Sequence, residues 1–204
     1  MRGIRAVALA AVAMVLTACD GGGPTALACK VDVDTPDLVS DREAAGIADC
    51  TELPTEAGAS ELPDVALRCL GGTDELSLAD VKGPAIINFW STTCGPCREE
   101  MPVLQQFHEQ YGDQVPLLGV NFLDTYPGAA IDFARIKGVT YPSAADACGD
   151  LQKSDLVLQV LPQFVFVRAD GSFEQRAGGI DSLDEIVTMA EDNLGIDLAP
   201  GKAS

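Results

Sequence analysis

The chain has 204 residues, enough for one ordinary domain with extensions, and its formal charge of -18 sets 31 acids against 13 lysines and arginines. A field of that sign argues against nucleic acid, and against anionic lipid headgroups held through basic patches. The acids are scattered along the whole chain, so the acidity either draws basic partners or keeps the protein soluble.

The first eighteen residues read as a signal peptide. Arg2 and Arg5 form a basic start, Ala6 to Leu16 is an apolar run too short to span a bilayer, and Leu16-Thr17-Ala18 has the small residues of a cleavage site. Leu16-Thr17-Ala18-Cys19 resembles the lipobox of bacterial lipoproteins, which implies cleavage before Cys19 and a lipid on its sulfur. A plain secretory signal with a chance cysteine is the alternative, and a retained membrane helix a third. Beyond Cys19 stand Cys29, Cys50, Cys69, Cys94, Cys97 and Cys148, an even number in a chain sent to an oxidising compartment.

Asp20 to Pro24 is a short glycine-rich tether. From Cys29 to about Pro63 large apolar side chains are few, so this extension cannot bury a core alone; one helix is expected from Thr35-Pro36-Asp37, a cap with proline in the first turn. The folded domain is expected over residues 62–195, with a tail at 196–204. Val65 to Leu70 and Glu75 to Leu78 flank Gly71-Gly72-Thr73 as a hairpin. Pro84 to Trp90 is an almost continuous apolar run, which reads as a strand buried on both faces. Val103, Leu104, Phe107 and Tyr111 then fall at helical spacing.

Val115 to Phe122 is a second buried strand, and a helix through Ala129 to Ile136 ends at Lys137-Gly138. Tyr141 to Ala145 reads as a short strand and residues 149–158 as helical. Gln163 to Val167 and Ser172 to Ala177 read as a hairpin joined by a two-residue Asp170-Gly171 turn. Asp181 to Leu194 closes the domain as an amphipathic helix. The order implies an α/β domain on a mixed sheet.

Cys94-Gly95-Pro96-Cys97 ends the first buried strand and starts the helix that follows it. There the free backbone N–H groups and the positive end of the helix dipole stabilise a thiolate, the form that attacks disulfides. Cys94 is the expected nucleophile and Cys97 the resolving thiol one turn later. The same spacing is half of a zinc site, but no second C-x-x-C exists. The lone His108 lies about 16 Å further along the helix at about 1.5 Å per residue, too far to be a ligand or a base. No metal is expected.

Asn88-Phe89-Trp90 before the cysteines, the C-x-x-C-x-x-E-x-P pattern made with Glu100 and Pro102, and Leu161-Pro162 before a strand and an Asp-Gly turn resemble the thioredoxin fold. The Glu100 spacing, the first hairpin and the helix and strand inserted near 127–145 narrow the resemblance to membrane-anchored TlpA/ResA/DsbE-like thiol-disulfide oxidoreductases. It implies a cis Pro162 facing the cysteines, with the Leu161 backbone pairing an extended substrate. It also implies a Glu100 that influences the cysteine pKa values; an ordinary first-turn glutamate is the alternative. Trp90 is either a wall under the site or a core aromatic. Asn88 stands where thioredoxin has a buried acid, and Thr93 and Gln163 depart from the residues usual at their positions.

The four remaining cysteines allow three connectivities, which sequence alone does not decide, and a second redox relay is the alternative to structural bonds. The favoured pairing is Cys29–Cys50, closing about twenty residues for about 3 kcal/mol, with Cys69–Cys148, closing about eighty for about 4 to 5 kcal/mol. The resemblance implies exchange of disulfides with cysteine-containing extracytoplasmic proteins, apocytochrome c among them, with electrons from a membrane thiol carrier and no cofactor. Gly95-Pro96 is the dipeptide of reducing thioredoxins, which favours a reductase over an oxidase of folding proteins. A non-catalytic binding module is the reading from another class. A peroxiredoxin is disfavoured, because Ile87 stands where that family has proline.

Overall fold

In the computed structural model, which describes residues 29–201, the apolar run becomes the central strand β3 (Ala85–Trp90), buried at every position. The signal segment, Cys19 and the tether lie outside the described residues. Around β3 the chain adds α1 (Pro36–Ala45), β1 (Ala66–Cys69), β2 (Glu75–Ser77), α2 (Gly95–Tyr111), β4 (Leu117–Phe122), α3 (Pro127–Lys137), β5 (Ser143–Asp146), β6 (Gln163–Val167), β7 (Phe173–Ala177) and α4 (Leu183–Leu194).

The strands form one seven-stranded sheet in the order β2-β1-β5-β4-β3-β6-β7. Strands β3, β4 and β5 run parallel, and the β1–β2 and β6–β7 hairpins add antiparallel edges, so the sheet is mixed. Burial on both faces explains why β3 and β4 read as unbroken apolar runs. Ile86 and Trp90 face one core, with Met101, Leu104 and Phe107 of α2, Ile131 of α3 and Ile186 of α4. Ile87 and Phe89 face a second, covered by Cys50, Leu53 and Leu62 of the extension and by Leu151 and Leu156.

The extension behaves as a chain without a core of its own. Helix α1 buries no residue, although Thr35 caps it by accepting the Leu38 N–H at 3.4 Å and Gly46 ends it at φ 72°. Leu38 and Ala45 lean on the first core, to which Val33 and Ile47 also belong. The disulfides follow from this and correct the expected pairing: Cys50 joins Cys69, and Cys29 joins Cys148. A segment that packs only against the domain points its cysteines at the domain, so one bond reaches β1 at Cys69, the other reaches the turn after β5 at Cys148, and neither closes the extension on itself. Two local expectations also change. Residues 149–158 hold only a 3₁₀ turn at Asp150–Lys153, because Asp146 accepts the amides of Asp150 and Leu151 and holds the chain close to β5. In the β6–β7 hairpin Arg168 and Ser172 pair across three residues, with Gly171 at φ 85°, so the loop is a type I turn with a bulge.

Candidate active site

Cys94 caps the N-terminus of α2, its sulfur accepting the Cys97 N–H at 3.2 Å, and the two cysteines are joined. Cys94 is half-exposed while Cys97 is fully buried, so an incoming sulfur reaches only the first. Gly95 and Pro96 between them are exposed. Trp90, the last residue of β3, is buried beneath, its ring 6.4 Å from that of Phe133.

Across the cysteines the Leu161–Pro162 bond is cis, and the Pro162 carbonyl accepts the Gly178 N–H at 3.0 Å. The Gly83–Pro84 bond is cis as well. Gly179 marks where the parts converge: a methyl built on it would lie 3.4 Å from Glu100 Oε2, 3.5 Å from Pro162 Cγ and 3.9 Å from Pro96 Cβ. Glycine at this point brings backbone rather than a side chain up to the buried carboxylate from that side.

Glu100 is 1% exposed. Burial pushes its carboxyl up to about 8, against the hydrogen bond that Asn88 Nδ2 donates to Oε1 at 2.9 Å and a smaller opposing pull from the Ile180 backbone amide. Among the described residues Oε2 has no hydrogen-bond partner of good geometry. A carboxyl so poised takes or gives a proton near neutral pH, and it lies at i+3 from Cys97 on the same helix face. Asn88 Oδ1, Trp90 Nε1 and the Tyr141 hydroxyl are also buried without partners among the described residues; burial first, and Glu100 second, push the Tyr141 hydroxyl far up.

Three residues of the site gave no signal in the sequence. Asp124 Oδ2 accepts the Thr92 N–H at 2.9 Å and the Thr92 hydroxyl at 2.6 Å, pinning the turn that presents Cys94. Burial raises the Asp124 carboxyl, but the hydrogen bonds from Thr92, Asn121 and Tyr126 outweigh it and hold the group below the ordinary range. Leu123 has φ 53°, an uncommon backbone for leucine, and is 45% exposed. Gly179 is the third.

Leu123 helps to line a groove of about 320 Å³ between Thr93 on one side and Leu158, Val160 and Leu161 on the other. Gln163 Nε2 and Gln175 Nε2 both donate to the Val157 carbonyl, at 3.0 and 3.2 Å, and hold this wall in place. Among the described residues no partner receives the amides of 157–161. Free amides of this kind are suited to pair with a second chain.

His108 lies elsewhere, in a cleft with Glu52 and Asp113. Asp49, Cys50 and Cys69 bring three ligand-type atoms within 4.8 Å, but the two sulfurs are bonded to each other and offer no thiolate to a metal.

Residues 59–175 match the AhpC/TSA family, more than half of the chain. The chain belongs to the AhpC/TSA family. It is similar to the thiol-disulfide oxidoreductase ResA of Geobacillus kaustophilus, 31% identical over 144 residues that cover 67% of this chain and 78% of that protein. It is also similar to the thiol:disulfide interchange protein DsbE of Pseudomonas fluorescens, 30% identical over 70% of this chain and 78% of that protein. A secreted Mycobacterium tuberculosis disulfide oxidoreductase, described as homologous to E. coli DsbE, superposes with a TM-score of 0.56 at 25% identity, covering 63% of this chain and 96% of that one. The thioredoxin-like fold of this AhpC/TSA member is the one these relatives share.

Proposed function

We propose that the protein is an extracytoplasmic thiol-disulfide oxidoreductase that works as a reductase of protein disulfides. The observation that carries the exchange chemistry is the asymmetry of the dithiol, with Cys94 reachable at a helix N-terminus and Cys97 sealed behind it. The choice of the reducing direction rests on Gly95-Pro96, the dipeptide of reducing thioredoxins. In the reducing direction the Cys94 thiolate attacks a substrate disulfide, forming a mixed disulfide and releasing one substrate thiolate. Cys97, its proton passing to Glu100 in that carboxyl's ionised form, attacks the Cys94 sulfur and releases the second. The protein is then oxidised by two electrons, and a membrane thiol carrier has to return them. Apocytochrome c is among the substrates this reading includes; the relatives, named as a thiol-disulfide oxidoreductase and a thiol:disulfide interchange protein, support disulfide exchange as such.

Leu16-Thr17-Ala18-Cys19 supports cleavage before Cys19 and a lipid on its sulfur, which would hold residues 62–195 near the outer face of the membrane. Three disulfides among the described residues suit that oxidising compartment. Palmitate labelling of the full chain, lost in Cys19→Ser, tests the anchor.

Titration of Cys94–Cys97 against glutathione, together with insulin reduction, tests the activity. Turnover with a potential near that of reducing thioredoxins is the expected result. A strongly oxidising potential would make the protein an oxidase of folding proteins, and no turnover with a potential below that of structural disulfides would leave only a binding module.

A further inference from the structure

Seven of the ten described lysines and arginines make ion pairs, as expected where acids outnumber bases. Lys30, Arg98 and Lys137 do not, and two of these three meet at one place. The Arg98 guanidinium stands 4.8 Å from the centre of the Phe133 ring and the Lys137 ammonium 5.7 Å from it. Both line an open cleft of about 290 Å³ whose wall includes Gly95, the residue after Cys94. Glu99 is the one acid in that lining, and it pairs with neither cation.

Helix stability does not explain the arrangement. Lys137 in the last turn of α3 suits that helix dipole, but Arg98 in the first turn of α2 sits at the positive end, where a cation is disfavoured. The aromatic ring they share holds both heads in place without neutralising them. Cys94 therefore lies between two unlike surfaces: the uncharged groove beside Thr93 and Leu161, and this cationic cleft beside Gly95.

We propose that the Arg98–Lys137 cleft docks a carboxylate-bearing segment of the protein substrate, so that the enzyme prefers cysteines with acidic residues a few positions away on one side. The inference rests on the oxidoreductase reading above. The occupant is chosen by charge complementarity: two unpaired cations in a chain of net charge -18 create a local reversal of sign beside the reacting sulfur. An acidic segment that the rest of the surface repels is held there alone, which orients the substrate as well as attracting it.

The test uses the reduced full-length protein and two cysteine peptides, each activated as a thionitrobenzoate disulfide and differing only in Glu or Lys at the second and third positions from the cysteine. The readout is the ratio of their exchange rates, so a change in thiol reactivity common to both cancels. In R98Q/K137Q the acidic-to-basic ratio falls about three- to tenfold, and about 0.5 M salt removes most of the difference. The variant K30Q/K82Q changes the net charge equally but leaves the ratio near that of the unaltered protein. An equal fall in both variants would reduce the effect to the overall field and overturn the inference. So would an unchanged ratio in R98Q/K137Q; loss of binding to phosphatidylglycerol vesicles alongside it would assign the cleft to a lipid headgroup. No exchange with either peptide would overturn the oxidoreductase reading itself.

Discussion

Asn88 on β3 donates its side-chain amide to Glu100 on α2 at 2.9 Å, and both residues are buried. The bond ties the central strand to the helix that carries the dithiol, and it does so with a neutral partner. Glu100 is therefore left as the single carboxyl of this buried pair, free to be neutral or charged without a second acid competing for the proton.

The first expectation concerns rate against pH. With its carboxyl near 8, Glu100 is protonated through most of the neutral range and changes state where Cys97 must lose or regain a proton. Single-turnover exchange in Glu100→Gln is expected to be about ten- to a hundredfold slower, and to lose an inflection near pH 8 that the unaltered protein shows. A variant with the same profile would reduce Glu100 to a structural residue.

The second concerns stability. The folded carboxyl titrates near 8 and the unfolded one near the ordinary 4.5, so between these values the folded state binds the extra proton. Stability then falls as pH rises from 4.5 towards 8 and levels off above, because each pH unit in that window costs up to about 1.4 kcal/mol. Denaturant unfolding of Glu100→Gln is expected to lack that slope and to show a variant more stable than the original at pH 9. A slope unchanged in the variant would assign it to other groups.

Gly179 provides a third test. Its φ is not positive, and a methyl there meets Glu100 Oε2, Pro162 and Pro96 at ordinary contact distances. Gly179→Ala should fold with little change in melting temperature yet place a methyl against the already buried Oε2, which deepens its desolvation, raising the Glu100 carboxyl further and slowing exchange severalfold near neutral pH. Unchanged kinetics would show that proton traffic to Glu100 does not pass this side.

Much of this was legible in the chain itself. Unbroken apolar runs located β3 and β4, the Thr35-Pro36 cap located α1, and the Lys137-Gly138 signal located the end of α3. These are local properties, each set by neighbours within one element. The pairing of Cys29, Cys50, Cys69 and Cys148 was not legible, because it depends on how the extension lies across the sheet. Gly179, Leu123 and Asp124 were silent for a related reason: each acts through residues distant in sequence, Gly179 on Glu100 and Asp124 on Thr92.

The disulfides differ in what shields them. Cys50 and Cys69 are both fully buried, whereas Cys29 is exposed and Cys148 half-exposed. Under graded dithiothreitol, thiol trapping should find Cys94–Cys97 and Cys29–Cys148 opening before Cys50–Cys69. The Cys29–Cys148 bond spans 119 residues and so constrains the unfolded chain most, for about 4 to 5 kcal/mol. Cys148→Ser with Cys29→Ser should therefore lower the denaturation midpoint more than Cys50→Ser with Cys69→Ser would by chain entropy alone. The buried pair adds a packing loss of its own, which a Cys50→Ala, Cys69→Val variant reduces and so separates from the entropic part.

Leu123 carries the last expectation. A leucine at φ 53° costs about 1 kcal/mol or more relative to a residue that tolerates the left-handed region, and this one spends it on an apolar side chain that half faces the groove beside Thr93. Its backbone is fixed from outside, since its N–H donates to the Asp146 carbonyl at 3.0 Å, and its side chain lies where a Cβ on Gly149 would come within 2.5 Å of Cδ2. Leu123→Asn keeps the backbone, relieves the strain and removes the apolar contact. The expected result is a melting temperature no lower than the original with exchange towards an apolar cysteine peptide about threefold slower or more. Earlier melting with undiminished exchange would show instead that Leu123 is held there for packing.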